Sequence, residues 1–211
     1  MSAMKKKFVR ITTPVGTAIY PRLTTPDTKF DKDGVYSVDL EMDATDPLVA
    51  QFLTGLNKAA DEAYKALCES KGGKKLKKAP MPIKEAEGDM IRIKFKLKAK
   101  AGNDEKSWTQ KPAIFDATGM AIQTPPNVGS GSRIKVAFEV VPFFTAMVGA
   151  GVSLRMKAVQ ILDLKEYTPG DRFDAYGFTA AEWDKLRAES MHLDEPWLAD
   201  EGPRRAHRGI E

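Results

Sequence analysis

The chain is poor in the side chains that do chemistry. Its 211 residues include one cysteine, Cys68, and two histidines, His192 and His207. A single thiol excludes an internal disulfide and a cysteine-based zinc site. With both histidines near the C-terminus, the body of the chain has no imidazole to serve as base or metal ligand. No apolar run reaches the ~18 residues that span a bilayer. The basic start, Met1-Ser2-Ala3-Met4-Lys5-Lys6-Lys7, is followed by no apolar stretch, so it does not read as a signal peptide. Gly129-Ser130-Gly131-Ser132 lacks the lysine of a phosphate loop and reads as a flexible turn. Asp27, Asp31 and Asp33 before Gly34 have neither the spacing nor the terminal Glu of a calcium loop. An enzyme is the least expected class, no cofactor is called for, and an intracellular protein fits best.

What is present is positive charge, unevenly placed. The net charge is +4. From residue 161 onward twelve acids outnumber seven bases, leaving −5, whereas the preceding 160 residues carry +9. A basic body before an acidic arm points to an anion-binding domain with a separate tail.

The densest signal is Ile91-Arg92-Ile93-Lys94-Phe95-Lys96-Leu97-Lys98-Ala99-Lys100. Apolar and basic residues alternate here with period two, so a strand sends Ile91, Ile93, Phe95, Leu97 and Ala99 to one face. The other face becomes five cations about 6–7 Å apart, close to the phosphate spacing of a nucleic-acid strand. No acid sits within the run, which makes it a candidate polyanion track. Arg133 and Lys135 occupy the polar side of a second alternating strand, Arg133–Val140, and Arg155 and Lys157 that of a third, Val152–Ala158. Parity changes near Ala158-Val159, as a bulge requires.

Phe8–Thr12 reads as a first strand, Ala18–Tyr20 as a short extended piece, 26–34 as a turn-rich loop, and Tyr36–Met42 as another strand. Asp46-Pro47 opens a helix by N-cap and N1 chemistry, and Gly72-Gly73 closes it. Its apolar face, with Leu48, Phe52, Leu56, Ala59, Ala60, Ala63 and Leu67, is expected to pack on a sheet. Lys71 to Lys78, with five lysines in eight residues, is a basic loop, either solvated or in contact with an anion beside the basic strand. Alternation stops after Leu164. Residues 167–211 are then expected to form a charged, partly disordered tail, with a short helix after the capping box Thr179–Glu182. The result is a mainly β barrel of five to six strands with one long inserted α-helix, spanning 1–166.

Rings lie among the cations. Tyr20, Phe30, Trp108 and Phe115 are stacking candidates beside Arg22, Lys29 and Lys111; Phe95 and Phe138 belong to the core, and Phe143-Phe144 are read as packing. Sequence-tolerant binding of a single strand needs just such cations for phosphates and rings for bases.

Three segments carry a resemblance: Pro14-Val15-Gly16-Thr17-Ala18 through Tyr20-Pro21 and Pro26–Phe30 to Gly34-Val35-Tyr36; Pro112-Ala113-Ile114-Phe115-Asp116; and Gly129–Ser132 with Gly151–Arg155 and Ala158-Val159-Gln160. Over about residues 5–166 the chain resembles the OB-fold single-stranded DNA-binding proteins of tailed bacteriophages, the T7 type included. The resemblance implies an OB-fold barrel that binds and protects single-stranded DNA in phage replication, recombination and repair, in the cytoplasm of the infected host. It also implies an acidic tail that recruits replication proteins, and a monomer or homodimer. The chain departs from the family in placing its helix after the second recognisable strand, and in ending on the bases Arg204, Arg205 and Arg208. An RNA-binding β-barrel, or a non-catalytic structural phage protein docking an acidic partner, would use the same basic face.

Overall fold

Strict alternation on four long strands decides the architecture. The computed structural model describes residues 8–73, 75–102 and 106–167. In chain order they form β1 (Arg10–Thr12), β2 (Gly16–Asp27), β3 (Val35–Asp43), α1 (Pro47–Ser70), β4 (Ile83–Glu85), β5 (Met90–Lys98), β6 (Lys100–Gly102), β7 (Ser107–Thr109), β8 (Ala113–Phe115), β9 (Arg133–Thr145) and β10 (Gly149–Asp163). Tyr36, Val38, Leu40 and Met42 of β3 are buried with Ile91, Ile93, Phe95 and Leu97 of β5, while the residues between them face outward. The same rule buries Ile134, Val136, Phe138 and Val140 of β9 and Val152, Leu154 and Met156 of β10. As expected, Phe95 and Phe138 meet in the core, with ring centroids 4.9 Å apart.

The pairings run in a cycle. β9 pairs with β2, β2 with β3 and β3 with β5; β5 pairs with β10 through the parallel match of Arg155 and Lys96, and β10 returns to β9. β1 lies on the outer edge of β9, and β8 runs parallel to β10. β6 and β7 make a separate two-stranded ribbon. Register slips between Met156 and Ala158 leave Lys157 as the extra residue of a bulge, where the sequence parity changes.

Two expectations about the strands need correction. Ala18–Tyr20 is not a short piece but part of the twelve-residue β2, which runs on through Pro21 and Pro26. Its pairing with β3 is irregular between Ile19 and Arg22, so Pro21 falls where no regular ladder bond is required. The basic run is not one strand: β5 ends at Lys98, and Lys100 belongs to β6.

Helix α1 starts as its cap predicts, with the Leu48 N–H donating to Asp46 Oδ1 at 2.8 Å. It stops where Gly72 and Gly73 adopt φ of +81° and +73°, and the Gly73 N–H returns to the Cys68 carbonyl at 3.0 Å. The helix lies against β9 and β10, burying Val49, Leu56, Ala59 and Ala60 and setting Phe52 edge-on to Phe138. Leu48, expected on that face, is 65% exposed, and Val49 takes its place. The lysine loop docks on α1 and on the start of β10. Lys78 pairs with Asp61 at 2.6 Å, and residues 77–79 bond to Ala150 near the tip of the β9–β10 hairpin. The expected tail beyond Tyr167, with its capping box, acids, terminal arginines and both histidines, lies outside the described residues.

Phe138 is fully buried and touches the rings of Phe52 and Phe95. Phe138→Ala is expected to cost about 3–5 kcal/mol of stability, read as a lowered urea midpoint with an unchanged slope.

Candidate nucleic-acid interface

The outward faces of β3 and β5 meet residue by residue. Glu41 stands opposite Arg92, Asp39 opposite Lys94, Ser37 opposite Lys96 and Val35 opposite Lys98. Glu41 accepts from Arg92 Nε at 2.5 Å, and Asp39 lies 3.4 Å from Lys94 Nζ. From the β2–β3 loop, Asp31 reaches Lys98 at 3.2 Å and Asp33 reaches Lys100 at 3.7 Å. The row expected to lack neutralising acids is therefore paired at four of its five cations, because neighbouring segments supply what the run itself does not contain. Lys96 has no ion pair among the described residues. Hydrogen bonds from Lys98 and from the Asp33 N–H hold the Asp31 carboxyl below the usual carboxylate range. The Glu41 hydrogen bond and charge keep Arg92 more firmly protonated, with a smaller contribution from nearby Tyr20.

One transverse row crosses the whole face. Register aligns Arg22 of β2, Ser37 of β3, Lys96 of β5, Arg155 of β10, Glu139 of β9 and Arg10 of β1. Glu139 accepts from Arg155 at 2.8 and 3.2 Å and from Arg10 at 3.2 Å. The Phe8 ring lies 4.9 Å from the Arg155 guanidinium. Burial pushes the Glu139 carboxyl up, but the hydrogen bonds from Arg155 and Arg10 outweigh it and hold the group below its ordinary value.

A groove of about 640 Å³ runs over this face, lined by Phe30, Lys94, Lys96, Lys98, Gln110, Val141, Ser153 and Arg155 among others. Phe30 is 91% exposed, with Lys29 Nζ 5.5 Å from its ring centre. Trp108 is 57% exposed and stands opposite Ala101, a lining residue, so the two side chains share one face of the β6–β7 ribbon. Tyr20, 75% exposed, sits near Arg92 at a φ of +48°, a left-handed conformation costly for a non-glycine residue.

The turn at 129–132 makes that conformation possible. It is not the flexible turn expected. The Tyr20 N–H donates to Ser130 Oγ at 3.0 Å, the Gly131 N–H to the Ala18 carbonyl at 2.8 Å, and the Ala18 N–H to the Ser132 carbonyl at 2.8 Å. Ser132 is fully buried, its hydroxyl donating to the Gly129 carbonyl and accepting from the Lys165 N–H. Ser130, Glu139, Asp39, Glu41 and Gln110 are thus site-building residues that the sequence reading missed. The available signal was the acid alternation on β3.

Of the residues expected in the site, the structure brings Lys94, Lys96, Lys98, Arg155 and Phe30 into one groove, with Tyr20, Arg22, Lys29, Arg92 and Trp108 around it. Lys135 and a half-buried Phe115 instead line a separate groove of about 270 Å³. Lys157 sits in the bulge, Arg133 opposite Thr17 at the start of β9, and exposed Lys111 between β7 and β8. Among the described residues no group of three His, Cys, Asp or Glu could hold a metal ion, and no helix is long and apolar enough to cross a membrane.

Against known proteins, the family "Single-stranded DNA-binding protein, Bacteriophage T7" matches residues 15–164, a span containing the five strands of the cycle and the groove. The chain belongs to this family. Within it, the single-stranded DNA-binding protein of Enterobacteria phage T3 is 29% identical over 95% of both chains, and that of Escherichia phage T7 is 27% identical over 80% of both. The crystal structure of T7 gp2.5, a single-stranded DNA-binding protein, superposes with a TM-score of 0.69 at 26% identity, covering 82% of this chain and 97% of that one. The bacteriophage Enc34 single-stranded DNA-binding protein, solved in complex with ssDNA, shares the fold at 13% identity and a TM-score of 0.54, covering 76% and 89%. The resemblance read from the turn and strand motifs is borne out.

The Glu139 clamp in this phage-family protein has a testable signature. Its depressed pKa means that its contribution is complete above the usual value of 4.5 and is lost as pH falls through the lowered one. Glu139→Gln is expected to lose about 1–3 kcal/mol at pH 7 by urea unfolding, with the deficit shrinking near pH 3.

Proposed function

We propose that the chain binds single-stranded DNA without reading its sequence, through the groove over β3, β5 and β10. The observation that carries this reading is the lining: Lys94, Lys96, Lys98 and Arg155 beside the exposed ring of Phe30. The cations track phosphates, and each stacked base adds about 1–3 kcal/mol. Phe30 and Trp108 are the stacking rings, Tyr20 and Arg22 extend the track, and Lys96 is its open cation. Lys135, Phe115, Lys157, Arg133 and Lys111 belong to no part of this track.

The cyclic pairing with its one parallel junction supports an OB-fold barrel, whose ligand face is its second and third strands. In the cycle those are β3 and β5, with α1 inserted between them. The named relatives are DNA-binding proteins and not enzymes, and the role here is protection of exposed strands during phage DNA replication, recombination and repair in the cytoplasm of the infected bacterium. Residues 1–166 form the binding domain of a monomer or homodimer, and 167–211 a tail that engages replication proteins.

Titration with oligo-dT is expected to quench Trp fluorescence in a salt-dependent way, with little response to matched duplex, and Trp108→Phe removes most of the quenching. Equal binding of duplex without quenching contradicts the reading, and preference for the matched RNA strand reassigns it to RNA. Replacing Lys94, Lys96 and Lys98 together by Glu should weaken binding by at least about a hundredfold at low salt, since each lost phosphate contact forfeits counterion release.

A further inference from the structure

The β5 cations are not equivalent, and their difference lies in what stands opposite. Along the strand the order is paired, paired, open, paired: Arg92 with Glu41, Lys94 with Asp39, Lys96 facing uncharged Ser37, and Lys98 with Asp31. In each pair the acid is the more sheltered partner. Side-chain exposure is 44% for Arg92 against 19% for Glu41, 48% for Lys94 against 29% for Asp39, and 71% for Lys98 against 28% for Asp31. The cationic side chain is thus the more accessible partner of each pair, and an anion arriving from solvent finds it more readily than the carboxylate. The two lysine pairs, at 3.4 and 3.2 Å, are looser than the 2.5 Å arginine pair.

On the reading that this groove holds a single strand, we propose that Asp31 and Asp39 are affinity-determining residues, built-in counter-ions that the phosphates of the strand displace from Lys98 and Lys94. Lys96 is the entry point, since a phosphate there competes with no carboxylate. Arg92 stays with Glu41 and keeps the row in register. A phosphate that settles on a compensated lysine leaves the local charge negative and retains part of its own cation atmosphere. A phosphate on an uncompensated lysine is neutralised and releases about 0.7 cation per contact. The acids therefore weaken binding and flatten its salt dependence together, so that the protein holds a strand loosely enough to be stripped from it. A purely structural role for these acids would move melting temperature but not the salt slope.

The test is a salt series of oligo-dT affinities for the full chain, Asp39→Asn and Ser37→Asp. Asp39→Asn uncovers Lys94 and is expected to bind about two- to fivefold tighter, with log K against log salt steeper by at most about 0.7. Ser37→Asp places a carboxylate opposite Lys96 and is expected to shift both quantities the opposite way. If Ser37→Asp does not fold, Asp31→Asn, which uncovers Lys98, takes its place with the sign of Asp39→Asn. The proposal is overturned if the parent chain binds oligo-dT with ordinary salt dependence while variants of unchanged melting temperature keep its affinity and slope, or if Asp39→Asn binds more weakly. A parent chain that does not bind oligo-dT at all overturns the single-strand reading, and the proposal with it.

Discussion

The residue-by-residue match of β3 with β5 is the constraint on which the rest of this molecule depends. Because side chains alternate with period two, one register serves both faces at once. Inward, it sets Val38 on Phe95 and Leu40 on Ile93 in the core. Outward, it sets Asp39 on Lys94 and Glu41 on Arg92. A slip of one residue would bury charge and expose the core, so the ionic ladder and the apolar core hold each other in place. The same register leaves Lys96 opposite Ser37, and that is how a strand full of cations keeps one uncompensated.

Around this pair, two polar clasps turn a sheet surface into a shaped groove. Glu139 ties β9 to β10 and β1 through Arg155 and Arg10, which orients the guanidinium at the wall of the groove. The Gly129–Ser132 turn ties its own chain to β2 at Ala18 and Tyr20 and to residue Lys165 after β10. Backbone strain at Tyr20 persists because Ser130 holds its N–H and Gly131 holds the Ala18 carbonyl just before it. In both clasps the polar groups are satisfied within the fold, and among the described residues no buried side-chain nitrogen or oxygen lacks a partner.

The sequence showed the long elements plainly, because each obeys a local rule. Alternation marks β3, β5, β9 and β10; the Asp-Pro start and Gly-Gly end mark α1; and the parity change at Ala158 marks the bulge. Three-residue strands such as β4, β6, β7 and β8 have no period to read: β4 and β8 form along the longer β5 and β10, and β6 and β7 form on each other. β2 was cut at Pro21, since the irregular pairing that tolerates proline is a tertiary fact. In the site, cations and exposed rings were legible as residue types. Their partners were not: Asp31, Asp39 and Glu139 act across strands, and a run read alone hides the acids facing it. For the same reason Phe115 and Lys135 were grouped with a groove they do not line.

The central claim is that a single strand lies along β3, β5 and β10 with bases against Phe30 and Trp108. The most direct measurement is photo-crosslinking of a 5-iodouracil-substituted oligonucleotide, with the joined residues mapped by peptide sequencing. The account predicts crosslinks at Phe30 and Trp108, with Tyr20 as the next site, and none on α1 or the 71–78 loop. Crosslinks concentrated on α1, the lysine loop or Phe115, with Phe30 and Trp108 untouched, would contradict it.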